Sequence, residues 1–562
     1  MFHKRAAPDY AEADSAAKRL KANIQDLWLG NDLSAPRVAS IFEQAAAAGV
    51  AGMGEFACTT SGKNLARDMT RRILKDNKGN KWPPLYVANC KLFEPKTQCE
   101  KVCPVAFLLP HEVVAKFVRK NGLDQCCISD GLCENSKQHL LLCQQKMQCE
   151  NLVGLAYWGD GVPCTFDKNQ SIEVMSWFLP GLMGVDQNIR IPFSIINKRY
   201  FTADHATIDD CMQIFAWSMK ALFCGEYPEY DHTGVKLTGR RAQLAGTSLG
   251  CKGVLLEVRG DWAYFKSAFR LPQHNEGAGI CWLCEAKPAD VRQPSSSASW
   301  RTSRLSHWQL LRRQLALGCT ISPIMSIPFV QNSIFLQDWQ HCADQGILVD
   351  WLGGLFRYLL RKFPGTTQQE RTQNLFVDIQ TYYSTAVDLP GKLDNLTYKM
   401  LGPIGKPPKL RARAGEARGL VMYGYLAATR LLDNNNPLEQ SIKQAMYHLH
   451  QCYCNLSKEA FSAANLREHS RRFAVLYVAI EERVNDPCLF WVKPKLHQLQ
   501  ELCEMKQSCP SLFWNYRNED FGGHVMQVAK KRGGRHSPYS LSANLLRKFT
   551  GKNALPFLGQ GL

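Results

Sequence analysis

Two aspartates stand where chemistry is easiest to place. The run LVGLAYWGD (residues 152–160) is apolar and β-like and stops on Asp160; GVLLEVRGD (residues 253–261) stops in the same way on Asp261. A carboxylate in the middle of a buried strand is costly, whereas one at a strand end is held rigidly and still reaches solvent or a metal ion. Such a pair suits two-metal phosphoryl chemistry. There, three or four carboxylates converge on two divalent cations, one activating the attacking oxygen and one stabilising the leaving oxygen. A third acid is then needed. Glu519, in SLFWNYRNEDFGGHVMQVAKKRGG (residues 511–534), is the expected ligand, with Asp520 beside it as the competing choice. The bland alternative makes both of them acids in a first helical turn, favoured by the helix dipole.

A second chemistry is offered by sulfur. CWLC at Cys281 to Cys284 presents two thiolates at a spacing that can grip one zinc ion, with two further ligands required to close a tetrahedron. His307, Cys319, His341 and Cys342 follow, and spacing alone does not choose among them. A thioredoxin-type redox pair would place its CxxC at a helix start after a strand. Here a Gly-bearing loop (residues 275–280) comes first, which favours zinc. Cys127, Cys133, His139 and Cys143 have suitable ligand types, but their spacing matches no standard finger, so core or surface thiols are expected there. Asp338, His341 and Asp344 lie three apart, hence on one helical face, where a structural role between two packed units is favoured over metal binding.

These residues need a scaffold. In 562 residues with 45% hydrophobic content, a large core and several domains fit. A formal net charge of +18 points to a polyanionic partner, nucleic acid before membrane. The first residues lack the apolar run of a signal peptide, and no uncharged stretch of membrane-spanning length occurs. A soluble intracellular protein is therefore expected, its 22 cysteines mostly reduced. From residue 150 the pattern predicts a strand at 152–159, two more at 176–184 and 189–201, a core-facing helix over 207–223 capped by Thr207, and a strand over 253–258. Beyond Asp261 the β signal fades into helices at 349–363, 369–386, 419–433, 438–456, 464–484 and 494–505. The expected division is a mostly helical N-terminal region with a Cys/His-rich segment (1–148), the first part of an α/β core (149–275), a CxxC insertion (276–345), an all-α insertion (346–505), and a return to the core with a basic tail (506–562).

Taken in order, the motifs resemble those of DDE transposases of the ribonuclease-H-like superfamily, in the CACTA and Kyakuja–Dileera–Zisupton-like group. The similar features are GDGVP at 159–163, RGDW at 259–262, the CWLC that follows, DWQHCADQGI at 338–347, KPKLH at 493–497 and the YRNEDFGG segment. The resemblance spans residues 150–535. It implies a ribonuclease-H-like core with a mixed five-stranded sheet, interrupted by a large all-α domain. Asp160, Asp261 and Glu519 would be the catalytic acids holding Mg²⁺ or Mn²⁺, and Cys281 and Cys284 would be zinc ligands. Asp338-Trp-Gln-His341 resembles an element of such families, which makes His341 the preferred third zinc ligand. Strand cleavage and transfer on DNA, self-association on transposon ends and a nuclear location follow as expectations. A domesticated, non-cutting nucleic-acid-binding protein is the runner-up, and a CxxC thiol oxidoreductase the third reading.

Overall fold

The computed structural model describes residues 10–553, apart from 30–31, 57–64, 77–81, 165–169, 183–189, 531–536 and the single positions 275, 404, 458, 487 and 506. Parts of the loop at 275–280 and of the basic tail therefore lie outside the described residues.

A mixed sheet organises the centre. Its strands are β3 (Leu152–Pro163), β4 (Ser171–Phe178), β5 (Ile191–Asn197) and β6 (Lys252–Arg259), in the order β5-β4-β3-β6. β3 runs antiparallel to β4 and parallel to β6, and β4 runs antiparallel to β5. The parallel pair needs a crossover, which includes the helix Ala206–Cys224. Because β3 is central it is apolar on both faces, and Tyr157 and Trp158 are both fully buried. Leu155 and Tyr157 join the cluster that contains Phe215 of the Ala206–Cys224 helix. Ala156 and Trp158 instead face Ala529, Leu541 and Leu545, carried by the C-terminal helices Tyr516–Lys530 and Pro538–Lys552.

The expected fifth strand is reduced to one parallel bridge. Phe335 pairs with Val258 on the free edge of β6, and the Leu336 amide donates to the Val258 carbonyl at 3.0 Å. The approach to this edge carries Pro323 and Pro328 and is taken up by the short 3₁₀ turns Pro323–Ser326 and Asn332–Ile334, so a longer ladder does not form.

Two other local readings are corrected. The N-terminal region contains a β-hairpin, β1 (Tyr86–Glu94) with β2 (Cys99–Phe107), paired in register from Tyr86↔Phe107 to Glu94↔Cys99. The helix Ala206–Cys224 is preceded by His205 in the left-handed region (φ 69°), not by a Thr207 cap. The buried Thr207 hydroxyl instead donates to the Lys91 carbonyl at 2.8 Å and ties the helix to β1.

After Phe335 the chain enters a π-helix, Gln340–Leu348, and then the helices Val349–Leu359, Gln368–Thr385, Val421–Leu431, Pro437–Cys454, Ala463–Arg483 and Lys495–Met505. Each lies within a few residues of its expected position. The helical block and the sheet share one continuous buried cluster, so the block is welded to the core. Asp344 is a fastening point: Trp339 Nε1 and the hydroxyls of Tyr453 and Tyr516 donate to its carboxylate at 3.1, 2.6 and 2.5 Å. Helices Ala35–Ala47 and Leu65–Asp76 form a small separate core with Ile24 and Trp28. It docks on the C-terminal helix, where Lys548 Nζ donates to the carbonyls of Trp28 and Leu29 at 3.4 Å. Among the described residues, no helix is long and apolar enough to cross a membrane.

Candidate metal centres

Parallel pairing brings the two aspartates level. The last register pair of β3 with β6 is Trp158↔Arg259, and Asp160 and Asp261 each lie two residues further on. Neighbouring strands are about 4.8 Å apart, so the two acids lie side by side. Only Asp261 stands past its strand's end, because β3 continues to Pro163 and Asp160 is still paired with Val174 of β4, which corrects the expected strand end at residue 159. Each is fixed by the backbone. Asp160 Oδ1 accepts from the Gly161 amide at 2.7 Å; Asp261 caps the helix Trp262–Phe269 and accepts from the Tyr264 amide at 2.5 Å. The glycines around Asp160 are dictated by close approach. A Cβ at Gly159 would lie 2.1 Å from the Tyr264 hydroxyl, and one at Gly161 would lie 2.5 Å from Lys198 Nζ.

Glu519 arrives on the helix Tyr516–Lys530. Gly522, three residues later and on the same helical face, packs so tightly on β3 that a Cβ would sit 3.1 Å from both Trp158 and Val162. This contact turns Glu519 toward Asp160. Burial, then the charges of Glu519 and Asp261, push the Asp160 carboxyl up to about 8, with His341 opposing them. Burial is also the main cause of the upward shift at Glu519, partly offset by His341. The oxygens of the three acids do not close into a cage with every ligand atom within 4.8 Å of the others, since among the described residues only the sulfur-bearing group below meets that condition. Asp520 is exposed.

His341 belongs to this acid cluster. Its Nδ1 lies 2.5 Å from Asp338 Oδ2 and its Nε2 lies 3.8 Å from Glu519 Oε1. Asp338 is held in turn by the amides of Asn515 (2.8 Å) and Gln340 (3.2 Å). Burial disfavours the charged imidazole, but the Asp338 hydrogen bond and charge, with Glu519 and Asp261, overcome it and raise His341 to about 9. A cleft of about 180 Å³ opens beside the cluster, lined by Asp261, Trp262, Gln337, Asp338, His341 and Lys495 among others. On the far side, Lys198 Nζ pairs with the buried Glu173 at 3.1 Å.

The second centre is sulfur-bearing. Cys281, Cys284, His497 and Glu501, all buried, present ligand atoms within 4.8 Å of one another and could hold a metal ion. Cys284 Sγ lies 3.4 Å from His497 Nε2, and His497 Nε2 lies 3.8 Å from Glu501 Oε1. The Leu283 amide donates to Cys281 Sγ at 3.3 Å. Burial works against a thiolate at Cys281, but hydrogen bonds with Cys284 and His497 prevail and lower it to about 6. Cys284, sharing that hydrogen bond, is held well above its usual range. Arg304 grips both Glu501 oxygens, at 2.6 and 3.0 Å. Trp282, inside the loop, donates to the Phe335 carbonyl at 3.0 Å and anchors the centre to the rudimentary edge strand.

The expected assignment of His341 to the cysteine pair is thus replaced. The Asp338 carboxylate and the π-helix turn its ring toward Glu519, and the position beside the sulfurs is filled by His497. In the sequence His497 stands out only as the end of the KPKLH motif, and Glu501 not at all, although the two ligands sit at i and i+4 on one helix, a spacing that puts both on one face. Cys127, Cys133, His139 and Cys143 form no such group among the described residues. Compared with known proteins, the chain matches no family model, and no curated protein matches it significantly.

Proposed function

We propose that the protein is a metal-dependent DNA strand-cleaving and strand-transferring enzyme of the ribonuclease-H-like, DDE-transposase type. The observation that carries this reading is the convergence of Asp160 from inside β3, Asp261 from just beyond the end of the adjacent parallel β6, and Glu519 from a packed C-terminal helix. The strand order β5-β4-β3-β6, with Phe335 bridging the edge of β6, supports a ribonuclease-H-like core. Hard carboxylate oxygens suit Mg²⁺ or Mn²⁺. Bound there, a pair of such ions supplies activation of the attacking water or 3′-hydroxyl and charge neutralisation at the phosphate. Asp160 and Asp261 would be the ligands from the sheet and Glu519 the ligand from the helix. Held by Asp338, the His341 imidazolium offers a charged N–H toward a phosphate oxygen, and Lys198 and Lys495 add positive charge at the rim. The +18 net charge suits DNA as the partner, with phosphate contacts fixing position. Self-association on transposon ends and action in the nucleus belong to the same reading.

For the sulfur-bearing group the ion proposed is Zn²⁺, in a structural role. Two thiolates, an imidazole and a carboxylate match its preferred donors. With both thiols ionised, a dication and the Arg304 guanidinium balance the two sulfurs and Glu501.

That the oxygens of the three acids do not all lie within 4.8 Å of one another favours a second reading, a domesticated protein that keeps the fold and binds nucleic acid without cutting it. One assay separates the two. The full chain is incubated with supercoiled plasmid and Mg²⁺ or Mn²⁺, alongside Asp160→Asn and Asp261→Asn. Nicking by the parent alone supports the enzyme; retention of DNA in a gel shift without nicking supports the binder.

A further inference from the structure

We propose that the pocket where Arg190, Arg259 and Arg517 converge is a binding site for a phosphate monoester group. The cavity measures about 250 Å³, and its described lining residues include these three arginines, Phe178 and Trp514, and no carboxylate. Arg190 and Arg259 are 5% and 4% exposed, so two of the charges sit inside the protein. Both guanidiniums lie against one ring, 4.1 and 5.0 Å from the Phe178 centroid.

Their orientation is fixed from behind. Arg190 Nε donates to Asn518 Oδ1 at 2.6 Å. Arg259 is ion-paired with the buried Glu257, to whose Oε2 its Nε and NH2 donate at 2.8 and 2.5 Å, and its NH2 also donates to the Leu512 carbonyl at 3.2 Å. The rim is equally rigid. The Gly131 amide donates to the Gly181 carbonyl at 2.9 Å, and a Cβ at Gly131 would lie 2.6 Å from the Pro180 carbonyl oxygen. Burial, then the neighbouring Arg259 and Arg517, lower Arg190 to about 9, a rare fate for a group that is otherwise always charged.

Planar guanidinium forks match phosphate oxygens two at a time. A monoester carries a charge of about −1.5 to −2 at neutral pH and offers three acceptor oxygens, which suits the charges of Arg190 and Arg517, with the Glu257-paired Arg259 as a further donor, better than a singly charged carboxylate does. Such a group arrives either as the 5′-phosphorylated end of a nucleic-acid strand or on a free phosphate compound.

The test uses the full chain in EDTA and low-salt, phosphate-free buffer, so that no metal at the acids contributes. Orthophosphate and pyrophosphate are titrated by calorimetry against the parent, Arg190→Met and Arg517→Gln. Saturable binding that weakens at least about tenfold in both variants is expected. Should Arg190→Met fail to fold, Arg517→Gln decides, because that side chain is exposed. Matched oligonucleotides with a 5′-phosphate or a 5′-hydroxyl then identify the source. A preference for the phosphorylated strand assigns strand ends, and equal affinity with displacement by orthophosphate assigns a free compound. Absence of saturable phosphate binding, or binding unchanged in the folded variants, overturns the site. Asp160→Asn should leave phosphate binding intact, so loss of nicking and loss of this pocket are separately visible.

Discussion

Lys495 Nζ donates to the His341 carbonyl oxygen at 2.7 Å, two residues before His497 on the same helix. The helix Lys495–Met505 thus carries two ligands of the sulfur-bearing centre on one face and, at its first residue, buttresses the histidine of the acid cluster. Gly346 makes room for this contact, since a Cβ there would lie 2.6 Å from Lys495 Cδ. The two centres are mechanically one unit.

A consequence can be measured at the sulfur-bearing centre. Purified protein should contain one equivalent of zinc by mass spectrometry, and Cys284→Ser or His497→Ala should remove it. Loss of the ion should cost on the order of several kcal/mol of stability, seen as a lower unfolding midpoint. Because Lys495 rides on the same helix, DNA nicking should fall with the zinc content. Full stability and activity in a zinc-free Cys284→Ser protein would refute a structural metal.

At the acid cluster, Glu519→Gln should abolish metal-dependent nicking while salt-sensitive DNA binding persists. Asp520→Asn should be nearly silent, since that side chain is exposed. The reverse pattern in the same assay would move the third acid by one residue.

Asp338→Asn tests an indirect role. It preserves shape but removes the charge that orients His341 and keeps it protonated, and a loss of about 10–100-fold in nicking is expected. A nuclear magnetic resonance titration of the His341 ring should show its pKa falling in the variant. An unchanged ring pKa would refute the coupling.

Gly159→Ala should cost about 1–3 kcal/mol in denaturant unfolding, because the added methyl meets the Tyr264 hydroxyl, itself 2.5 Å from the Tyr157 hydroxyl. Tyr264→Phe should restore little of that loss, because the ring carbon Cζ, 2.2 Å from the added methyl, remains, whereas Tyr264→Ala in the Gly159→Ala background should show a clearly smaller additional cost than in the parent.

His111 sets an acid limit. Burial, then the Arg241 charge, lower its pKa to about 3, and its Nδ1 lies 2.8 Å from Ser218 Oγ. A depressed folded-state value means the unfolded chain takes up the proton first. The stability from the neutral ring is complete above about pH 6.5 and drains as pH falls toward 3, at up to about 1.4 kcal/mol per pH unit. His111→Gln should flatten that slope in unfolding experiments between pH 7 and 4.

How far the sequence could be read follows from what each residue depends on. The strands leading to Asp160 and Asp261 were legible because an apolar run closing on a carboxylate is a local pattern, but the extension of β3 past Asp160 to Pro163 was not, since it depends on pairing with β4. The six late helices were legible from their periodicity. β1 and β2 were missed because Pro95–Gln98 lacks the Asn-Gly signal of a tight hairpin, and Gln98 takes the left-handed conformation (φ 53°) instead. The place of His341 depended on a π-helix and on the Asn515 amide holding Asp338, contacts that no spacing announces. Arg190, Arg259 and Arg517 come together only in three dimensions.

The face of β3 that bears Trp158 has a history in time. Its covering residues, Ala529, Leu541 and Leu545, belong to the last part of the chain, while β3 itself leaves the ribosome hundreds of residues earlier. At ordinary synthesis rates that interval is on the order of tens of seconds, during which the central strand shows bare tryptophan to its surroundings. Until those helices are made, Glu519 is missing as well, so Asp160 and Asp261 stand as an incomplete set beside an uncovered strand.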